Sequence, residues 1–537
     1  MKKHDSENAV AVKRALLSCH DKAGLGAFAK ELAALGVELI ASGGTAEFLK
    51  KAGVKVRTVE AFAGITERLD GRVKTLHPKI HAGILARRDN PAHVKAVGAR
   101  GLIDLVVVNL YPFQQTVQRS GVPLAEAVDQ IDIGGVALLR AAAKNFAYVG
   151  VVCHPQQYPA VIQTLRSGKG RLPHSLTREL ALAAFQMTST YDTAITSYLS
   201  SNHGRGTGGS RPAKAATPVK AGGFPDEVSV SVRKRQPLRY GENPHQQGAW
   251  YVPASGPVWG LATLTQLQGK ELSYNNLLDI DAALRCLLDF EEPTCTVIKH
   301  DSQCGLASAA SPAQAYHRAY ACDPESAFGG IVGFNRPLNE ELARKLTATF
   351  LEVILAPSVD AEAIPVFGKK PNLRVVTLEW PATAPTGLEW RPLLGSWLLQ
   401  EPDSRVFSSE PLRLVTKRAP TERERADLLF AWKAAKHVKS NGIVLVSDRA
   451  TVGIGQGQPS RVGSVQLAIQ KAGKRSVGAV AASDGFFPFP DGVELLAKAG
   501  ATAVIQPGGS IRDTEVIAAA DAAGMAMLLG GMRHFRH

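Results

Sequence analysis

Short apolar runs alternate with helical patterns through the first 200 residues. VELIA (37–41), DLVVVNL (104–110) and AYVGVVC (147–153) are apolar on consecutive positions, the pattern of strands covered on both faces. Around 24–35, 46–52 and 124–130 the apolar residues recur at helical spacing, and a longer helix, SLTRELALAAFQMTSTYDTAITSYL (175–199), closes the block. Strand–helix alternation of this kind predicts an α/β domain with a largely parallel sheet.

The pattern then stops. Residues 201–227 are rich in glycine, alanine, proline and basic side chains without a periodic apolar face, which reads as a flexible linker. Regular patterning resumes near Val228. A second dip around 357–392, with prolines and little periodicity, suggests two subdomains at 228–385 and 386–537. No short-period repeat is visible.

Composition narrows the class. At 537 residues the chain is too long for one core, and about three domains are expected. Hydrophobic residues make up 45% and charged ones 20%, as in ordinary soluble proteins. No run reaches the ~18 apolar residues of a membrane span, and MKKHDSENAV leads into no apolar signal core, so a cytoplasmic protein is expected. The 6 cysteines are scattered with no C-x-x-C pair, which points to reduced thiols and away from a zinc framework. The net charge of +14 favours anionic partners. Aromatics are only 6% and no nucleic-acid module is present, so small anions suit the chain better than polynucleotides. A basic nucleic-acid-associated protein is the rival reading, and steep salt dependence of polynucleotide binding would mark it. Gly453-x-Gly455-x-Gly457 lacks the dinucleotide spacing and does not support a dehydrogenase.

Three turns of the first domain suit a phosphate: Ser18-Cys19-His20-Asp21-Lys22 after a strand, Ser42-Gly43-Gly44-Thr45 before a helix, and Gly71-Arg72-Val73-Lys74-Thr75. Glycines let backbone N–H groups approach an anion, and a helix N-terminus adds partial positive charge. His77 and His81 have the i, i+4 spacing of metal ligands, but Pro78 and the lack of a carboxylate motif argue against zinc. In the second half, the strand CTVI (295–298) ends in Lys299-His300, a pair suited to acid–base work near neutrality.

SGGT, DGRVKTLHPKIHAGILARR, NLYPF and IDIGGVALLRAAAKN, in this order, resemble the IMP cyclohydrolase domain of the bifunctional purine enzymes, similar in fold to methylglyoxal synthase. The resemblance implies that Ser18, Lys22, Ser42, Gly44, Thr45, Arg72 and Thr75 hold the nucleotide. It implies that Lys74, Tyr111, Asp132 and Lys144 carry ring closure. Asp132 would orient or deprotonate the carboxamide nitrogen, Lys74 and Tyr111 would stabilise the oxyanion, and Lys144 would protonate the departing hydroxyl. His20 departs from the family's small hydroxyl residue in the first turn.

RYGENPHQ (239–246), DPESAFGG (323–330), VTKR (415–418), FAWKAAKHVKSN (430–441), VGIGQGQPSRV (452–462), SDGFFPFPDG (483–492), IQPGGSIRD (505–513) and the terminal GGMRHFRH resemble the AICAR transformylase domain. That family folds as two similar cytidine-deaminase-like subdomains without catalytic zinc. It implies Lys299 and His300 as the catalytic pair and Asn441 as their hydrogen-bonding partner. It also implies Arg239, Tyr240, Glu352, Arg461, Phe486, Arg533 and His537 as AICAR or active-site contacts, and Asp491 beside the folate pterin. The expected cosubstrate is 10-formyltetrahydrofolate, and the expected assembly is a homodimer with transformylase sites between subunits. Gln303, Gln456 and Pro459 depart from the usual loop residues.

Overall fold

The computed structural model describes residues 9–64, 73, 75–119, 121–201, 224, 227–254, 259–380 and 387–537. Arg72, Lys74 and nearly all of the expected linker lie outside the described residues. The chain divides into two compact units, residues 1–233 with 253–257 and residues 234–252 with 258–537.

The first unit holds five parallel strands in the order Arg57–Thr58, Glu38–Ala41, Arg14–Cys19, Leu105–Asn109, Gly150–Val152. The consecutive apolar positions behave as their pattern predicts: Leu16, Leu17, Ile40, Val106 and Val107 are all buried, so both sheet faces are covered. Helix Leu25–Ala34 packs beside Tyr158–Ser167, and Gly134–Lys144 packs beside His174–Ser201. From Arg14–Cys19 the chain moves to one edge, then returns to Leu105–Asn109 on the other side. The winding therefore reverses between these two strands, and their carboxyl ends flank a crevice, the place where open α/β sheets bind ligands.

The second unit is built on a 12-stranded sheet with an internal duplication. One half runs Thr265–Gln268, Arg374–Thr377, Val353–Ala356, Ile331–Phe334, Thr294–Lys299, Ser302–Ser308. The other continues Ala450–Gly455, Ile443–Ser447, Val480–Ser483, Ala503–Gln506, Ala526–Leu529, Arg413–Leu414. Outward from the middle, each half has an antiparallel hairpin, an antiparallel neighbour, two more strands parallel to that neighbour, and an antiparallel edge. The halves join through an antiparallel pairing of Ala307 with Ala450, which relates them by an approximate two-fold. A helix precedes each hairpin, Tyr274–Leu287 in one half and Glu422–Ala435 in the other. The dip at 357–392 is more regular than expected, because it contains the interior strand Arg374–Thr377. A four-residue strand among prolines leaves too short a pattern to read.

Candidate active sites

In the first unit a cavity of about 700 Å³ opens at the crevice. One end is the expected anion turn. Ser42 precedes helix Gly43–Lys51 but does not cap it; its hydroxyl lies 2.8 Å from that of Ser18. Thr45 Oγ1 bonds both the carbonyl and the N–H of Cys19 at 3.1 Å, and Lys22 Nζ reaches the Cys19 carbonyl and, at 3.4 Å, Thr45 Oγ1. Gly44 lines the cavity, and a Cβ there would meet nothing within 4 Å. Hydroxyls, an ammonium and a helix N-terminus thus converge on space open to an anion. Asn109 Oδ1 accepts the N–H groups of His20 and Asp21 at 2.6 and 2.8 Å, which fixes the loop between them. The departing residue His20 meets Tyr111 edge-on, with ring centroids 5.4 Å apart.

The other end is built by Asp132 and the start of helix Gly134–Lys144. Asp132 Oδ1 accepts the Gly135 N–H at 2.7 Å, and the Asp132 N–H donates to Tyr191 Oη at 2.9 Å. Tyr191 in turn donates to the Gln130 carbonyl at 2.8 Å, and burial pushes its phenol up to about 12, so it remains a donor. A Cβ at Gly135 would lie 2.7 Å from Asp132 Oδ2, and one at Gly134 would lie 2.5 Å from Thr75 Oγ1, so both positions need glycine for close approach. Ser18, Lys22, Ser42, Gly44, Thr45, Thr75, Tyr111 and Asp132 all line this cavity. Lys144 does not. It is exposed in the last turn of helix Gly134–Lys144, and a rise of about 1.5 Å per residue carries it roughly 15 Å from the Asp132 end. His77 caps helix Pro78–Leu85, its Nδ1 accepting the Lys79 N–H at 3.2 Å.

In the second unit, Lys299 ends its strand and donates from Nζ to the Phe328 carbonyl at 2.8 Å. His300 and Asp301 form the two-residue hairpin turn that follows, both with φ of 53°. The Asp301 carboxylate receives Arg536 Nη2 at 2.7 Å and faces Lys439 Nζ at 3.4 Å. Arg536 also bonds Ser440 through backbone and side-chain atoms, which draws the C-terminal tail and Asn441 to the His300 turn. Asn441 Nδ2 donates to the carbonyls of Gln458 and Pro459, and its Oδ1 accepts Arg461 Nη2 at 2.9 Å. Arg461 was expected as an AICAR or active-site contact. It is 7% exposed and spends Nη1 on Ser483 Oγ and the fully buried Asp484, so it reaches the site through Asn441. The departures Gln303 and Gln456 meet: Gln456 Nε2 donates to the Gln303 carbonyl at 2.9 Å.

Other expected contacts are arranged around the same unit. Glu352 precedes strand Val353–Ala356 at the sheet end shared with Lys299 and is tied to Arg374 at 2.7 Å. The guanidiniums of Arg239 and Arg533 lie over the rings of Tyr240 and Phe535, and Phe535 meets His537 edge-on. Phe486 is exposed, and Asp491 opens helix Asp491–Lys498, accepting its neighbour's N–H. Sequence reasoning assigned no role to Asn109, Asp279, Asp484 and Arg536. Asn109 could have been found, since it ends the strand at the reversal of winding. The others act through partners far along the chain. All six cysteines are buried and free; burial pushes the thiols of Cys153, Cys286 and Cys304 up to about 12 and those of Cys19 and Cys322 up to about 11.

The first unit thus has the fold and crevice of an MGS-like domain, and that domain matches residues 24–137. The AICARFT/IMPCHase bienzyme family matches residues 142–471, and the chain belongs to that family. The bifunctional purine biosynthesis protein PurH of Roseobacter denitrificans is 48% identical over 543 residues, covering 98% of this chain and 99% of its own. The protein of the same name from Dinoroseobacter shibae is 48% identical over 544 residues, with the same coverage. The crystal structure of ForH aligns at 33% identity and a TM-score of 0.32, covering 35% of this chain and 96% of that one.

Proposed function

We propose that the chain transfers a formyl group from 10-formyltetrahydrofolate to AICAR and then closes formyl-AICAR to IMP with loss of water, the last two steps of purine assembly. The observation that carries this reading is near-full-length similarity to bifunctional purine biosynthesis proteins, joined to a first-unit cavity with an anion turn at one end and a fixed carboxylate at the other. Ring closure needs the carboxamide nitrogen to attack the formyl carbon within one molecule. Holding the phosphate at Ser42–Thr45 and the carboxamide at Asp132 supplies that register, and register removes most of the entropic barrier. Asp132 takes the amide proton, Lys74 and Tyr111 stabilise the oxyanion, and the oxygen leaves as water with that proton and the one the formylated nitrogen gives up. In formyl transfer, His300 takes the proton of the poorly nucleophilic amine as it attacks the formyl carbon. Lys299 and Asn441 stabilise the tetrahedral intermediate or pass a proton to the folate nitrogen as it leaves.

The assay is the chain with AICAR and 10-formyltetrahydrofolate, with tetrahydrofolate release and IMP formation followed separately. His300→Ala should abolish the first and spare closure of supplied formyl-AICAR. Lys74→Ala and Asp132→Asn should accumulate formyl-AICAR. A normal IMP yield from either variant removes that residue from the mechanism.

The reading extends to a cytoplasmic homodimer with transformylase sites between subunits. Hairpin Glu389–Leu393 and Ser396–Gln400 supports it, since Leu393, Leu394, Trp397 and Leu398 are exposed together on one short ribbon. Among the described residues no helix is long and apolar enough to cross a membrane. Light scattering at micromolar concentration should give twice the chain mass. A fully active monomer would sink the shared-site arrangement.

A further inference from the structure

We infer that Asp279 is a positioning residue for formyl transfer, holding the His300–Asp301 turn from inside the core and so setting where the His300 ring points. The inference rests on His300 being the base of the reaction proposed above. A two-residue hairpin with both φ values positive favours Asn-Gly or Asp-Gly, because side chains elsewhere cost about 1–2 kcal/mol in that conformation. Here the first position is His300, with φ of 53°, so something must hold it. Asp279 does so from helix Tyr274–Leu287: it is 7% exposed, and its Oδ1 accepts the Asp301 N–H at 2.6 Å. Burial pushes the Asp279 carboxyl up, opposed by the backbone N–H groups of Asp301 and His300. On the outer side, Arg536 and Lys439 hold the Asp301 carboxylate.

The duplicated half supplies an internal control. Asp427, 3% exposed on helix Glu422–Ala435, accepts the N–H groups of Asp448 and Arg449 at 2.8 and 2.6 Å. Those two residues form the matching turn, with φ of 57° and 56°. The three pairs Asp279 and Asp427, His300 and Asp448, Asp301 and Arg449 share one sequence separation. The clamp therefore belongs to the repeated fold, and only one copy aims a histidine.

The test uses the full chain and measures tetrahydrofolate release. Asp279→Asn keeps the shape and one acceptor oxygen, but it replaces the second acceptor with a donor, where the carboxylate takes the N–H groups of both Asp301 and His300. It should lower kcat about tenfold to a hundredfold, the cost of a misplacement near 1 Å, with KM for both substrates within about threefold of the parent and closure of formyl-AICAR intact. Asp427→Asn should lose similar thermal stability and keep kcat. Equal kcat in the two aspartate variants, or a KM rise alone, overturns the inference. Should Asp279→Asn fail to fold, Asp279→Glu, which pushes the turn outward by one methylene, serves instead, and an unchanged kcat overturns the inference. Formyl transfer surviving in His300→Ala would instead refute the base assignment.

Discussion

Gly44 and Gly135 sit at opposite ends of the first cavity and respond to the same substitution in opposite ways. A Cβ at Gly44 enters open space inside a helix, so Gly44→Ala should leave folding intact or add up to about 1 kcal/mol of stability. The same methyl stands where the nucleotide phosphate is proposed to lie, and KM for formyl-AICAR should rise about tenfold, equivalent to roughly 1.4 kcal/mol. Gly135→Ala drives its methyl against Asp132 Oδ2, 2.7 Å away, and should cost about 1–3 kcal/mol of stability together with most ring-closing activity. Calorimetry and steady-state kinetics on the two variants separate these outcomes; an unaltered KM in Gly44→Ala would move the phosphate elsewhere. At this scale the anion turns were legible because strand ends and glycine turns announce themselves in sequence, whereas Tyr111 and Asp132 were implied only by the family resemblance. Arg461 was not legible as a buried residue. Its partner Asp484 lies on a different element, and nothing local distinguishes an arginine aimed at substrate from one sealed against a carboxylate.

Helix Glu422–Ala435 shows how a single element stores pH dependence. Thr421 and Glu424 form a capping box at its start, and both Glu424 oxygens also take the Arg418 guanidinium, at 2.8 and 2.9 Å. The arginine beside it, aided by the Thr421 bonds, holds the Glu424 carboxyl down at about 2 against an ordinary 4.5. Because the folded value is the lower one, this stabilisation is complete above the ordinary value and is lost as pH falls toward about 2. Glu424→Gln should therefore cost about 1–2 kcal/mol at neutral pH, and the gap from the parent should close between about pH 5 and pH 2. Urea unfolding across that range checks it; a gap that stays constant would mean the charge contributes nothing. Element type was readable where apolar runs were long, as at Leu105–Asn109, and unreadable at Arg374–Thr377, which pairs in the sheet interior with only four residues.

For the molecule as a whole, cutting the chain within 204–222 should leave two folded pieces with separate activities. That stretch has no apolar periodicity, and each flank is large enough for its own core. The 1–203 piece should close formyl-AICAR, and the 223–537 piece should formylate AICAR. A soluble, folded piece that works only when the other is added back would show that the sites share residues across the cut. The family resemblance implied two similar subdomains in the second unit, but the residues themselves showed no repeat, because the halves share strand order and a buried aspartate with no common run. The consequence of the duplication is an unequal tolerance of mutation. The second half is a permanently tethered sister whose own turn, Asp448–Arg449, carries no histidine, while its Gln456 and Arg536 reach Gln303 and Asp301 at the turn of the first. In a saturation library selected for purine-independent growth, positions 448 and 449 should accept most residues compatible with the turn. Their counterparts 300 and 301 should accept almost none, although the backbone asks the same of both.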